Sequence, residues 1–295
     1  MRRALAPAKA KAKANAKETT MEKFLCPDRS EIQYETYGEG LAVFFIHGWS
    51  VERHLWQNRI ESIPGEWKSR YKRVYFDLPG MGASLGAKSI RRSDDMLADI
   101  EAFIAFINGD SDYILAGESY GGYLARGLLS RQKSKIKGLI LLCPLVYPGW
   151  RQGKVAPKVV LEKDEAFLAT LSAEERVGFD FLSIVETKPM WEMYEADIRL
   201  GIMKGNEGFL DKQLDGAFSP AVDVAVVEYD KPTLVLLGRQ DTEVGFEDQY
   251  ELYKAWKRAT IQILDKAGHN LQIERNGLFS ASFLDLLERI ETDRA

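Results

Sequence analysis

The sequence predicts a doubly wound α/β domain carrying a helical insertion, and three observations lead there. Short, continuously apolar runs recur along the chain, helix-period patterns lie between them, and the stretch 147–229 breaks that alternation before it resumes.

The first element after residue 20 is a pair of short runs, Glu22–Cys26 and Glu31–Tyr37, the second alternating apolar and polar residues; together they read as a hairpin at the start of a sheet. Leu41–Ile46 (LAVFFI) is too short for a helix and is bounded by Gly40 and Gly48. Val74–Phe76, Tyr113–Ala116, Leu139–Leu142 and Thr233–Leu237 share its character, with the shorter Thr260–Leu264 as the last of the set. Runs that are apolar on both faces are central parallel strands buried between helices. Asp94–Ile107 spaces Met96, Leu97, Ile100, Phe103, Ile104 and Ile107 at helical period, with Ser93 as N-cap. Tyr120–Ser130, Glu247–Arg258 and Gly277–Ile290 follow the same pattern. Strand alternating with helix is the mark of an α/β layer fold.

The insertion, 147–229, is helix-like and rich in Glu, Lys, Met and aromatic residues, with no convincing buried strand. Because Pro232–Gly238 restores the strand pattern, it divides a core of 21–146 and 230–295. Helices inserted over the C-terminal edge of a parallel sheet form a cap over the place where such sheets bind ligands. Trp150, Phe167, Phe179, Phe181, Met190, Trp191, Met193, Tyr194 and Phe209 give the cap a largely apolar wall. Most of these side chains are expected to pack the cap on the core, and the rest favour an apolar acyl or alcohol group. Lys154, Lys158 and Arg199 read as solvated.

Composition narrows the function classes. Of 295 residues 45% are hydrophobic and 28% charged, the balance of a globular chain. No apolar run approaches the roughly 20 residues of a membrane span, so no integral membrane segment is expected. Two cysteines, Cys26 and Cys143, exclude a disulfide framework and suggest a reducing, cytoplasmic setting. Three histidines (His47, His54, His269) speak against a His-rich metal site, and no metal is expected. The net charge of −4 is uneven: residues 1–20 hold six basic residues and one acid, leaving the remainder at −9, a poor surface for nucleic acid. That tail reads as disordered, whether native, targeting or expression-derived.

Chemistry concentrates at Gly117-Glu118-Ser119-Tyr120-Gly121, between the apolar run YILA and the helical run YLARGLL. G-x-S-x-G between a strand and a helix is a nucleophile elbow, a turn so sharp that its neighbours must be small. A serine at neutral pH needs a base to take its proton and a carboxylate to orient that base. His269, in Lys266-Ala267-Gly268-His269-Asn270 after the final apolar run, is the candidate base, and Asp241, directly after the strand Thr233–Leu237, the candidate acid. The order Ser, Asp, His is the one this architecture uses. His47 follows its strand too tightly and reads as a loop anchor, and His54, in VERHLWQ, as a surface residue. Asp265 is still attached to the last strand, and Asp230 lies at the wrong end of the sheet. Two backbone N–H groups are needed for the oxyanion. Tyr120, at the helix start, and Trp49, in the loop after the first buried strand, are the candidate donors.

With these residues in place, 24–292 resembles the α/β-hydrolase fold family. His47-Gly48-Trp49 and Asp77-Leu78-Pro79-Gly80-Met81-Gly82-Ala83-Ser84 resemble two further family segments, the second being structural there, so Asp77 is not expected to be catalytic. The spacing of Gly80, Gly82 and Gly86 fails the G-x-G-x-x-G dinucleotide pattern, and no cofactor is expected. Serine at 119 separates the chain from haloalkane dehalogenases and epoxide hydrolases, which use aspartate there. His47-Gly48-Trp49-Ser50-Val51 departs from the H-G-G-P-G loop of proline iminopeptidases and is closer to carboxylesterases, lactonases and carbon–carbon hydrolases. The resemblance implies a cofactor-independent serine hydrolase of small to medium carboxylic esters. A lactonase or carbon–carbon hydrolase with the same triad, or a slow-turnover small-molecule receptor, are the alternatives. Natural substrate and oligomeric state are left open.

Overall fold

The computed structural model describes residues 21–147, 154–205, 209 and 228–294. The basic tail, Trp150 and much of the second half of the insertion lie outside the described residues. The first half of the core runs β1 (Glu22–Leu25), β2 (Glu31–Tyr37), β3 (Leu41–Ile46), α1 (His54–Ser62), β4 (Tyr71–Phe76), α2 (Ser93–Asn108), β5 (Tyr113–Glu118), α3 (Tyr120–Gln132) and β6 (Ile136–Leu142). The insertion holds β7 (Glu162–Lys163), α4 (Glu165–Leu168), α5 (Ala173–Leu182), β8 (Val185–Glu186), α6 (Lys188–Tyr194) and α7 (Leu200–Lys204). The core resumes with β9 (Thr233–Gly238), α8 (Glu247–Tyr253), β10 (Ala259–Leu264), α9 (Leu271–Glu274) and α10 (Asn276–Arg294).

Eight strands form one sheet in the order β1-β2-β4-β3-β5-β6-β9-β10. β1–β2 and β2–β4 are antiparallel, and every other neighbouring pair is parallel. From β3 the chain crosses to one side for β4, then returns to the other side for β5. The strand order therefore reverses between β3 and β5, the switch point beside which open α/β sheets carry their ligand sites. Both faces of the sheet are covered. Alternate residues of β3 divide between them: Ala42, Phe44 and Ile46 pack with Phe103 of α2 and Leu128 of α3, while Val43 and Phe45 pack with Trp56 of α1 and Phe283 of α10. This two-sided burial is why the central strands are apolar without alternation.

Three elements differ from the sequence expectation. Ser93 is not the N-cap of α2: it is buried, its hydroxyl lies 3.0 Å from the Tyr120 hydroxyl, and the carboxylate of Asp95 accepts the backbone N–H groups of Arg91 and Arg92 instead. α8 stops at Tyr253, short of Arg258, because the chain must turn into β10; Trp256 donates its N–H to the Tyr253 carbonyl and its ring meets Tyr253 at 4.9 Å. The insertion is not wholly helical, since β7 and β8 pair in parallel.

The insertion docks by its aromatics and by buried charge. Phe179 lies 5.3 Å from both Trp191 and Tyr194, so these rings pack on one another and the core. Asp197, in the π-helical segment Glu195–Arg199 that continues α6, meets Arg59 of α1 at 2.6 Å and Asn58 at 2.9 Å. Burial pushes the Asp197 carboxyl up to about 6, against the pull of Arg59. Lys158 is exposed, as the sequence suggested, yet its ammonium donates to the Ser183 carbonyl and partial burial lowers it.

Under the β3 loop lies an ion network whose pairing no sequence pattern marked. Arg53 is buried, with its guanidinium 2.8 Å from Asp77 and 3.0 Å from Glu35. Asp77 also accepts the backbone N–H groups of Arg53 and Ala83, tying the start of α1 to the turn after β4. Arg53→Ala strands two carboxylates beneath the sheet edge. It is expected to cost about 3–5 kcal/mol in unfolding free energy by urea titration; a loss under 1 kcal/mol would show the network to be dispensable.

Candidate active site

Ser119 sits between β5 and α3 at φ +51° and ψ −115°, a backbone region that L residues rarely adopt. The turn closes because side chains are missing around it: a Cβ on Gly117 would overlap the Gly121 carbonyl, and one on Gly121 would overlap the Ile46 carbonyl. β3 and β5 pair Ile46 with Gly117, which puts the His47–Trp49 loop against the elbow. Gly48 comes so close that a Cβ there would stand 3.2 Å from the Ser119 Cβ.

The two partners arrive from the other side of the crevice. β9 and β10 pair Gly238 with Leu264, so the loops that follow them run together. His269 Nδ1 lies 2.9 Å from Asp241 Oδ2, and His269 Nε2 lies 2.9 Å from Ser119 Oγ. A carboxylate only accepts, so Nδ1–H donates to Asp241; Nε2 of the neutral ring is then the acceptor for the serine hydroxyl. Asp241 Oδ1 is held by the backbone N–H groups of Glu243 and Val244 at 2.8 and 3.0 Å, fixing the carboxylate toward the ring. Burial disfavours charge on His269, but Asp241, and after it Glu118, more than offset this and raise the imidazole to about 9. The arrangement favours an imidazolium once a proton is transferred.

The structure places the remaining candidates as follows. Trp49 and Tyr120 flank Ser119 in the chain fold, with their rings 5.2 Å apart edge to face, so both candidate oxyanion donors belong to the segments that converge on the elbow. His47 is buried, donates from Nδ1 to the Gly48 carbonyl and accepts the Leu78 N–H at Nε2; both nitrogens are occupied, as a loop anchor requires. His54 is not a free surface residue: it is partly buried at the start of α1, 2.7 Å from Glu52. Asp265 lies at the end of β10 and accepts from Gln240, apart from the imidazole. Accordingly, His54→Ala and Asp265→Asn are each expected to change kcat/KM less than about threefold, since neither touches the relay. A loss beyond a hundredfold in either would reassign the base or the acid.

Glu118 is the residue that sequence reasoning missed. It occupies a variable place in the motif, and its signal was an acid at the end of an otherwise apolar strand run. Two groups of possible metal donors occur among the described residues. One is Cys143, Asp241 and His269, whose carboxylate and imidazole atoms are already spent in the relay. The other is Cys26, Asp28 and Asp99, where burial and the two carboxylates push the Cys26 thiol far up, the reverse of what thiolate ligation needs.

The comparisons with known proteins bear on the family and the fold. The family model described as serine aminopeptidase, S33, matches residues 42–276. A pimeloyl-[acyl-carrier protein] methyl ester esterase of Neisseria meningitidis is 25% identical over 261 residues, which are 84% of this chain and 77% of that protein. An α/β superfamily hydrolase from Oenococcus oeni superposes with a TM-score of 0.83 at 27% identity, covering 92% of this chain and 100% of that one. A meta-cleavage product hydrolase from Pseudomonas fluorescens shares the fold, with a TM-score of 0.66 at 20% identity over 90% of this chain and 97% of its own. With the sheet, the elbow and a match across most of its length, the chain belongs to the S33 serine aminopeptidase family of α/β hydrolases.

Proposed function

We propose that the protein hydrolyses carboxylic esters of small to medium size through an acyl-enzyme on Ser119. The observation that carries this reading is the unbroken relay from Ser119 Oγ through His269 to Asp241, 2.9 Å at each step, ending on a serine held in a strained turn. Ser119 Oγ attacks the ester carbonyl carbon as its proton passes to His269 Nε2. The N–H groups of Trp49 and Tyr120 receive the oxyanion. The carbon–oxygen bond to the alcohol then breaks, and the alcohol leaves with the proton held by His269. Water, deprotonated by the same nitrogen, attacks the acyl carbon, and the acid departs as the proton returns to Ser119.

Esterase chemistry is supported by the relatives, since the Neisseria protein is named for cleaving a methyl ester of a carrier-bound acyl group. Among the described residues no helix is long and apolar enough to cross a membrane. The test is a set of initial rates on nitrophenyl and methyl esters from acetyl to dodecanoyl, with Ser119→Ala alongside. Turnover that peaks at one acyl length and vanishes in the variant is the expected result. Turnover of lactones or vinylogous diketones without esters would move the assignment to those substrates, and very slow turnover with a ligand-dependent change in proteolysis of the cap would favour a receptor.

A further inference from the structure

Glu118 is buried, with 3% of its surface exposed, directly before Ser119. Its Oε1 lies 3.4 Å from His269 Nε2, the same nitrogen that faces the serine hydroxyl. Its Oε2 is buried without a well-formed hydrogen bond, against Gly48, where a Cβ would collide with it and whose backbone N–H is the smallest of the influences on the carboxyl. A poorly partnered carboxyl oxygen inside a hydrolase core is costly, and a carboxyl of this size crowds a loop that closes only because residue 48 is glycine. Asp241 already satisfies the histidine on its Nδ1 side. The imidazole therefore stands between two carboxyl groups, one on each nitrogen.

We propose that Glu118 is a second carboxylate partner of His269, a positioning residue that stabilises the imidazolium from the Nε2 side and sets the pH at which the base becomes available. This rests on the hydrolase reading above. The charged and titratable groups that face the pair come from three loops: Asp241 and Glu243 after β9, His269 after β10, and Cys143 at the end of β6. The β3 loop contributes Gly48, which carries no charge. Burial, with Asp241 adding to it, pushes the Glu118 carboxyl up to about 7, while His269 pulls the other way. Ionised Glu118 raises the imidazole in turn, so the two titrate as a coupled pair.

The direction follows. A raised imidazole is protonated, and useless as a base, until the pH climbs past its titration point, so kcat/KM rises with pH on that limb. Removing the Glu118 charge lowers that point and moves the limb to lower pH. It also takes a stabilising charge from the imidazolium of the transition state, so the alkaline plateau falls.

Glu118→Gln, which keeps size and shape, tests this by two readouts. In the first, the His269 ring resonances are titrated by NMR, identified by their loss in His269→Gln. Their midpoint is expected to fall by about one pH unit or more in Glu118→Gln. In the second, the acid limb of kcat/KM moves down in parallel and the plateau drops about tenfold. An unchanged midpoint in a folded variant would overturn the proposal. Should Glu118→Gln fail to fold, the wild-type titration decides: two inflections on the His269 resonance mark a coupled pair, and one inflection near the ordinary histidine value refutes it. The NMR readout needs no substrate. A coupled pair without ester turnover would sink only the esterase reading, and turnover without coupling would sink only this one.

Discussion

Ser119→Ala is expected to lower kcat on the order of 10⁶-fold, leaving only what binding and the oxyanion donors supply. The Ser119 oxygen is the attacking nucleophile in the proposed mechanism, and its partner in the fold is His269 Nε2. Its removal deletes one hydrogen bond at the mouth of a crevice, and the strained turn stays held by the backbone bonds of Ser119 N–H to Leu142 and of Leu145 N–H to the Ser119 carbonyl. The Tm is therefore expected to stay the same or rise slightly, as is common when an active-site polar group is removed. Steady-state rates and thermal melting of one preparation read both. A variant retaining a tenth of the wild-type rate would show that another nucleophile does the work.

Asp241→Asn is expected to reduce kcat about 10⁴-fold with little change in KM. The loss is one of tautomer. Asp241 can only accept, which fixes the proton on Nδ1 and leaves Nε2 free to receive the serine proton. The loop N–H groups of Glu243 and Val244 need an acceptor at Oδ1, so the asparagine oxygen is expected to stay there and its NH₂ to face the ring. The imidazole must then move its proton to Nε2 and can no longer act as the base toward Ser119. A loss smaller than tenfold would mean that the carboxylate is not the orienting group.

Much of this site was legible in the sequence because it is built at strand ends, and buried parallel strands announce themselves as short apolar runs. LAVFFI, YILA and the run from Thr233 each end three or four residues before a candidate residue, so position relative to a strand separated Asp241 from Asp230 and Asp265. His269 lies after the last strand for the same reason. What stayed hidden depends on contacts between distant segments. Ser93 carries the usual N-cap chemistry, yet its hydroxyl is committed to Tyr120, 27 residues away. Arg53 looks like any basic residue beside a helix until Asp77 and Glu35 close around it. Glu118 is marked only by an acid at the end of an apolar strand, which says that something must receive it, not that His269 does. The insertion reads poorly because its short helices and its two-residue strands carry too few residues for a period to show.

The most direct test of the central claim, that Ser119 is a nucleophile activated by His269, is labelling with an active-site-directed fluorophosphonate followed by peptide mass analysis. One equivalent of label on the peptide that carries Ser119, with activity lost in proportion, is the expected result. His269→Ala is expected to slow that labelling by orders of magnitude, and Ser119→Ala to abolish it. Label on a different residue, or full ester turnover by protein already labelled at Ser119, would contradict the account.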